Sequence, residues 1–242
     1  IKKGDIGGLV ESEDCLSQKG NCWIIGGTIV YGKVSGNAVV KFPAEVYGTV
    51  SENAVVQGKA EIKQNAIVTG NAVIKGSAIV EGTVSGNAVM QDNSCAEGDS
   101  IITGNALLQA RQHIQYSTVT TDLLGTKDWI GALYAELGII PKYNKVILYK
   151  KVWSTDDEST FKSNYDRNFL YKIGETVVAE DVDEDIFKSC TDGLHFTSLE
   201  NLINYDGDTI IECEIDVDDI VTVQFSAARV RKCRVLRVYK EE

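Results

Sequence analysis

The chain has 242 residues, 43% of them hydrophobic and 24% charged, with a net charge of −11. That is ordinary for a soluble protein with one or two cores, and it excludes a general nucleic-acid binder, because phosphate contacts need clustered basic charge. No apolar run approaches the roughly 20 residues of a membrane span. Six scattered cysteines and two histidines show no metal-ligand spacing. The start, Ile1-Lys2-Lys3-Gly4-Asp5, has no signal-peptide core, so a cytoplasmic protein with reduced thiols, no metal and no cofactor is expected.

Residues 1–21 carry no repeat, and their Gly4, Gly7, Gly8 and Glu11-Ser12-Glu13-Asp14 predict a polar N-terminal cap. A hexad of the form small-x-aliphatic-x-Gly-x then runs over residues 22–110, as in Ala66-Ile67-Val68-Thr69-Gly70-Asn71 followed by Ala72-Val73-Ile74-Lys75-Gly76-Ser77. Three phrases, beginning at Gly32, Gly48 and Gly82, hold a unit two residues shorter. Counting with them gives turns of 22–37, 38–53, 54–71, 72–87 and 88–105, each with three short sides.

Side chains alternate across an extended segment, so Ala38, Val40, Ala44, Val46, Ala54, Val56, Ala60, Ile62, Ala66 and Val68 are predicted inside. The glycines and asparagines fall at corners, where positive φ is expected. This pattern resembles the hexapeptide-repeat family, which implies an all-β solenoid, a left-handed parallel β-helix. The opening from Lys3-Gly4-Asp5-Ile6-Gly7-Gly8 to Cys22-Trp23 is similar to hexapeptide-repeat proteins of phages and prophages.

The second residue of each hexad should face water, yet one side of successive turns places Trp23, Val39, Val55, Val73, Val89 and Leu107 there. The second side reads Ile29, Glu45, Glu61, Ile79 and Cys95, and the third Ser35, Ser51, Ile67, Ser85 and Ile101. A continuous apolar strip of this kind marks an interface. Burying six such side chains at roughly 1.5–3 kcal/mol each gives on the order of 10 kcal/mol per subunit before association costs. The family resemblance implies a trimer; coverage by the chain's own helix is the alternative.

Residues 111–144 read as a connector with one helix, in which Trp129, Ile130, Leu133, Tyr134 and Leu137 follow helical spacing. Asp128 is placed to start the helix, and Gly138 and Pro141 to end it. That helix is expected to close the solenoid end or lie along its side. Residues 145–242 then read as a small α+β domain. Its predicted strands are 146–153, 169–178, 209–215, 220–225 and 230–239, with a short helix after Ser198 burying Leu199, Leu202 and Ile203. The phrases Asn168-Phe169-Leu170-Tyr171-Lys172-Ile173-Gly174 and Gly193-Leu194-His195-Phe196 resemble an uncharacterised domain attached to pentapeptide- and hexapeptide-repeat proteins.

Hexapeptide-repeat acyltransferases use a histidine base, but no histidine lies between Cys22 and Ala110, and His113 is the only local candidate. His195, five residues after Cys190, reads either as half of a nucleophile and base pair or as a buried structural histidine. The acidic run from Glu180 to Asp185 lacks calcium-loop spacing and reads as a solvated loop.

Arg229, Arg231, Lys232, Arg234 and Arg237 put five cations within nine residues of an acidic chain. With His195 they are the candidate ligand-binding residues, holding a small anion of nucleotide type. Pairing with the acidic strand at 212–219 is their structural alternative. The expected function is a non-enzymatic, trimeric binding protein of phage type with anti-defence as one use; a structural spacer and an acyltransferase are the alternatives.

Overall fold

The computed structural model describes residues 4–115 and 117–240; residues 1–3, Tyr116 and residues 241–242, which include the ends of the predicted cap and terminal domain, lie outside it. The chain divides into two compact units, residues 1–126 and 127–242.

The first unit is a parallel β-solenoid of about seven turns over residues 9–119. Its short strands stack into three parallel sheets of seven, seven and six strands. The hexad dictates this: the aliphatic third residue faces in, and Val40, Val56, Ile74, Met90 and Leu108 of one sheet are wholly buried. The alanines before them, such as Ala38, Ala54 and Ala72, are buried too, because only a small side chain fits at the turn. Every turn is fastened to the next by backbone bonds such as Val39 N to Ala54 O at 2.9 Å and Val55 N to Ala72 O at 2.9 Å.

The shortened units exist because turns approach closely there. A Cβ at Gly82 would strike the carbonyl of Ser100. The positive-φ corner falls on the residue before each asparagine, at Gly36, Glu52, Gly70, Gly86 and Gly104. The asparagines instead form an amide ladder: Asn37 to Asn53, Asn53 to Asn71 and Asn71 to Asn87 are each bonded at 3.0 Å.

The solenoid extends beyond the predicted repeat at both ends. Leu9–Val10 pairs with Ile29–Val30, and Leu16–Gly20 with Lys33–Gly36, so residues 1–21 are in part a solenoid turn and not only a cap. At the far end His113–Ile114 pairs with Cys95–Ala96, and Thr118–Val119 with Ile101–Ile102. The pattern is hidden at these places because the small position holds Gly8 and the buried Gln112 in place of alanine. On the third sheet the outward ladder is Lys33, Thr49, Ile67, Thr83 and Ile101. It does not run through Ser35, Ser51 and Ser85, because the shortened unit sets its valine, one residue earlier, inward.

The second unit begins with helix α1, Trp129–Leu137. Asp128 accepts from the Gly131 amide at 2.9 Å, and Gly138 closes the helix at φ 67°. Trp129, Leu133 and Leu137 are buried, whereas Ile130 and Tyr134 are exposed. Its packing partners within the unit are the strands 220–224 and 227–230.

Nine strands follow: β1 Lys145–Ser154, β2 Thr160–Lys162, β3 Leu170–Lys172, β4 Thr176–Val178, β5 Leu194–Phe196, β6 Thr209–Asp216, β7 Ile220–Gln224, β8 Ala227–Val230 and β9 Lys232–Val238. They form an antiparallel six-stranded sheet in the order β3-β2-β1-β6-β9-β4 and a three-stranded sheet in the order β5-β8-β7. The predicted strand 169–178 is two strands because Gly174, at φ 84°, turns the chain. The predicted helix after Ser198 is a 3-10 turn, Glu200–Asn204, in which Leu202 is buried but Ile203 faces out.

Candidate functional site

The inward side of β1 carries Val146, Leu148 and Val152, all buried, and strand alternation puts Lys150 on that same side. Its ammonium donates to the His195 carbonyl at 3.1 Å and lies 5.6 Å from the ring centroids of both Tyr171 and Phe196. Those rings meet edge to face at 6.4 Å, and Phe169 packs on Tyr171 at 5.4 Å. Among the described residues Lys150 makes no ion pair with a carboxylate.

Around this lysine is a cavity of about 390 Å³. Tyr149, Tyr165, Phe169, Tyr171, Phe196 and Tyr205 supply its rings; Lys150, Lys151, His195 and Cys190 line it too, with carboxylates at Asp166, Glu180, Asp181 and Asp192. The fold brings these together through three joins. Phe161 opposite Tyr171 carries β3 alongside β2. A bridge between Tyr149 and Thr197 carries the segment after β5 against β1. Asn164 accepts from the Trp153 indole at 2.6 Å and donates to the Asp206 carbonyl at 2.6 Å, fastening two loops to the strand end.

The electrostatics follow from desolvation. Burial among the rings lowers the Lys150 pKa to about 8, against the weaker opposing influence of the Cys213 and Cys233 thiols. Burial, then the charges of Lys150 and Arg229, lowers His195 to about 4, so its imidazole is neutral at pH 7. His195 Nε2 is buried with no hydrogen-bond partner among the described residues. Burial also holds the Tyr171 phenol well above its ordinary range. The site therefore offers a desolvated ammonium in ready exchange with its amine, a neutral imidazole and rings packed edge to face.

Of the candidate ligand-binding residues, only His195 lines this cavity. Arg229 is buried behind it, donating to the Thr191 hydroxyl and to the Asp185 carbonyl at 2.7 Å. Arg231 grips Glu184 with two bonds, of 2.8 and 2.5 Å. Lys232 pairs with Asp219 at 3.3 Å and Arg237 with Glu212 at 3.1 Å, while Arg234 stands opposite Glu214. The five cations are thus spread over β8, β9 and the link between them; Arg231, Lys232 and Arg237 are answered by carboxylates, while Arg229 is bonded to a hydroxyl and a backbone carbonyl. Cys190 and His195 both line the cavity, although Cys190 is exposed.

The interface candidates Trp23, Val39, Val55, Val73, Val89 and Leu107 lie in register along one sheet, each half-buried in the single chain. His113 sits on another face of the solenoid, its Nε2 2.8 Å from a Glu97 carboxylate oxygen. No helix among the described residues is long and apolar enough to cross a membrane.

A model of a family of unknown function, DUF5758, matches residues 140–201. No curated protein and no solved structure matches the chain. The matched stretch runs from the turn before β1 through β5 and holds most of the cavity wall, so the protein joins a parallel β-solenoid to a terminal unit similar in its first half to that family.

Proposed function

We propose that the chain is a non-enzymatic, cytoplasmic binding protein whose terminal unit takes one small planar ligand of nucleotide type. The observation that carries this reading is the aromatic cavity around Lys150. At about 390 Å³ it lies at the small end of the roughly 300–1,000 Å³ that ligand pockets span, which suits a single nucleotide and not a peptide or an oligonucleotide. A flat ring packs on the half-buried Phe169, Tyr149 or Tyr205, an anionic or carbonyl group meets Lys150, and exocyclic amino groups face the carboxylates at Asp166, Glu180, Asp181 and Asp192. Sequestration of a host signal, with an anti-defence use, accords with the phage-type resemblance of the sequence.

The test is calorimetry of the full chain with adenosine 5′-monophosphate and with inorganic phosphate, beside a heat-released extract read near 260 nm. Binding of the nucleotide but not of phosphate, weakened at least about tenfold by Lys150→Met, is the expected outcome, a factor worth about 1.4 kcal/mol. An empty extract together with no nucleotide binding, or unaltered binding by Lys150→Met, contradicts it.

A second reading concerns assembly, and the in-register apolar ladder favours it. We propose that this face meets a second and third copy of the chain, so that a trimer presents three terminal units and raises effective concentration at a multivalent target.

A further inference from the structure

The second sheet of the solenoid holds a cluster of a different chemistry. Cys95 stands opposite His113 in the parallel pair, and the register is locked by Cys95 N to Gln112 O at 2.8 Å and Glu97 N to Ile114 O at 2.9 Å. Because residues two apart in an extended segment share a side, Glu97 projects outward beside Cys95. The sulfur, a carboxylate oxygen and a ring nitrogen of these three residues all lie within 4.8 Å of one another. The His113 to Glu97 approach is already 2.8 Å.

We propose that Cys95, Glu97 and His113 form a site for a divalent transition metal of zinc type, with its fourth coordination position open to solvent or to a ligand. Thiolate, imidazole and carboxylate are the donors zinc takes, at about 2.3, 2.0 and 2.1 Å, which for a tetrahedral ion sets the donors roughly 3.5 Å apart. The three side chains reach that spacing by rotamer adjustment, on a backbone that the solenoid keeps fixed. The donor set has three protein ligands, the number of an open site and not of a closed structural one.

The surroundings fit the same reading. Gln115 Nε2 lies 3.3 Å from His113 Nδ1. Turning the amide over lets its oxygen accept from Nδ1–H and leaves Nε2 to the metal, the outer partner that ligating histidines have. One turn below, Glu81 follows Ile79 as Glu97 follows Cys95, and Ile79 is the register partner of Cys95. Glu81 and Lys63 are therefore the outer charges in reach of the thiol. The site was hidden because His113 lies 18 residues from Cys95, which is a solenoid turn and not a ligand motif.

The test titrates the chelator-treated full chain with Co²⁺ and then displaces it with Zn²⁺. One equivalent should bind with a thiolate-to-cobalt charge-transfer band that Zn²⁺ abolishes. Cys95→Ser should remove the band; Glu97→Gln and His113→Ala should each weaken affinity by more than tenfold, and Gln115→Ala by about 10–100-fold. In the wild-type chain, independently of any variant's folding, Zn²⁺ should shield Cys95 from alkylation while exposed Cys190 still reacts, read by peptide mapping. No stoichiometric binding, a band that survives in Cys95→Ser, wild-type affinity in His113→Ala, or no shielding of Cys95 would each overturn the assignment.

Discussion

The solenoid and the terminal unit place their polar groups in opposite ways. The solenoid core is a stack of alanine, valine and isoleucine, its buried polar side chains are small or neutral, and its amides are met by the next turn. The terminal unit encloses Arg229 and Glu136, and its cavity half-buries Lys150 and His195. Burying such groups costs free energy unless each is bonded. The repeat follows the apolar-inside rule along its stack, while the terminal unit breaks it at Arg229, Glu136 and the cavity proposed as a ligand site.

That contrast can be broken by substitution, and the largest effect belongs to the solenoid core. Ile74→Ala should cost about 2–5 kcal/mol in denaturant unfolding, since the wholly buried side chain leaves a void that stacked turns cannot close. A small loss would mean the stack is looser than described. Next comes assembly: Val55→Asp with Val73→Asp should reduce the mass measured by light scattering to that of the 26.4 kDa chain. An unchanged mass ends the proposed interface.

The terminal unit is sharpened by pH. The folded pKa of Lys150 is about 8, below an unfolded value of about 10.4, so between these the unfolded chain holds more protons and stability rises with pH. Lys150→Met should remove that rise. His195 works in the acid range: folded at about 4 and unfolded at about 6.5, it makes stability rise from pH 4 to 6.5. His195→Gln should flatten that limb, and a limb of undiminished slope would show the histidine is not desolvated. The smallest effect is expected at the basic strand. Arg231→Ala and Arg234→Ala should cost about 0–1 kcal/mol each and leave nucleotide binding unchanged, because exposed pairs contribute little.

The repeat was legible because its period is short and strict: turn lengths of 16, 16, 18, 16 and 18 recur as the register partners Trp23 and Val39, Val39 and Val55, Val55 and Val73, Val73 and Val89, and Val89 and Leu107. Its ends were obscured by Gly8 and Gln112, single residues that spoil the alanine position. The cavity was not read, since Tyr149, Tyr171 and Phe196 are joined by strand pairing across distant stretches and Tyr205 by the bond from Lys151 to its carbonyl. One signal was present: in Val146-Ile147-Leu148-Tyr149-Lys150-Lys151-Val152, the first lysine occupies the phase of the buried residues. A cation at an apolar phase of a strand is a stronger pointer than five cations within nine residues, three of which here answer carboxylates.

The most direct test of the account is the reactivity of Lys150 toward trinitrobenzenesulfonate, a flat anion that modifies only neutral amines, followed residue by residue through peptide mapping across pH. An accessible, ring-lined, desolvated lysine predicts that Lys150 is labelled ahead of the other lysines, with its rate reaching half its plateau near pH 8. Labelling that trails the surface lysines, or a midpoint near their ordinary value of about 10.4, would contradict it.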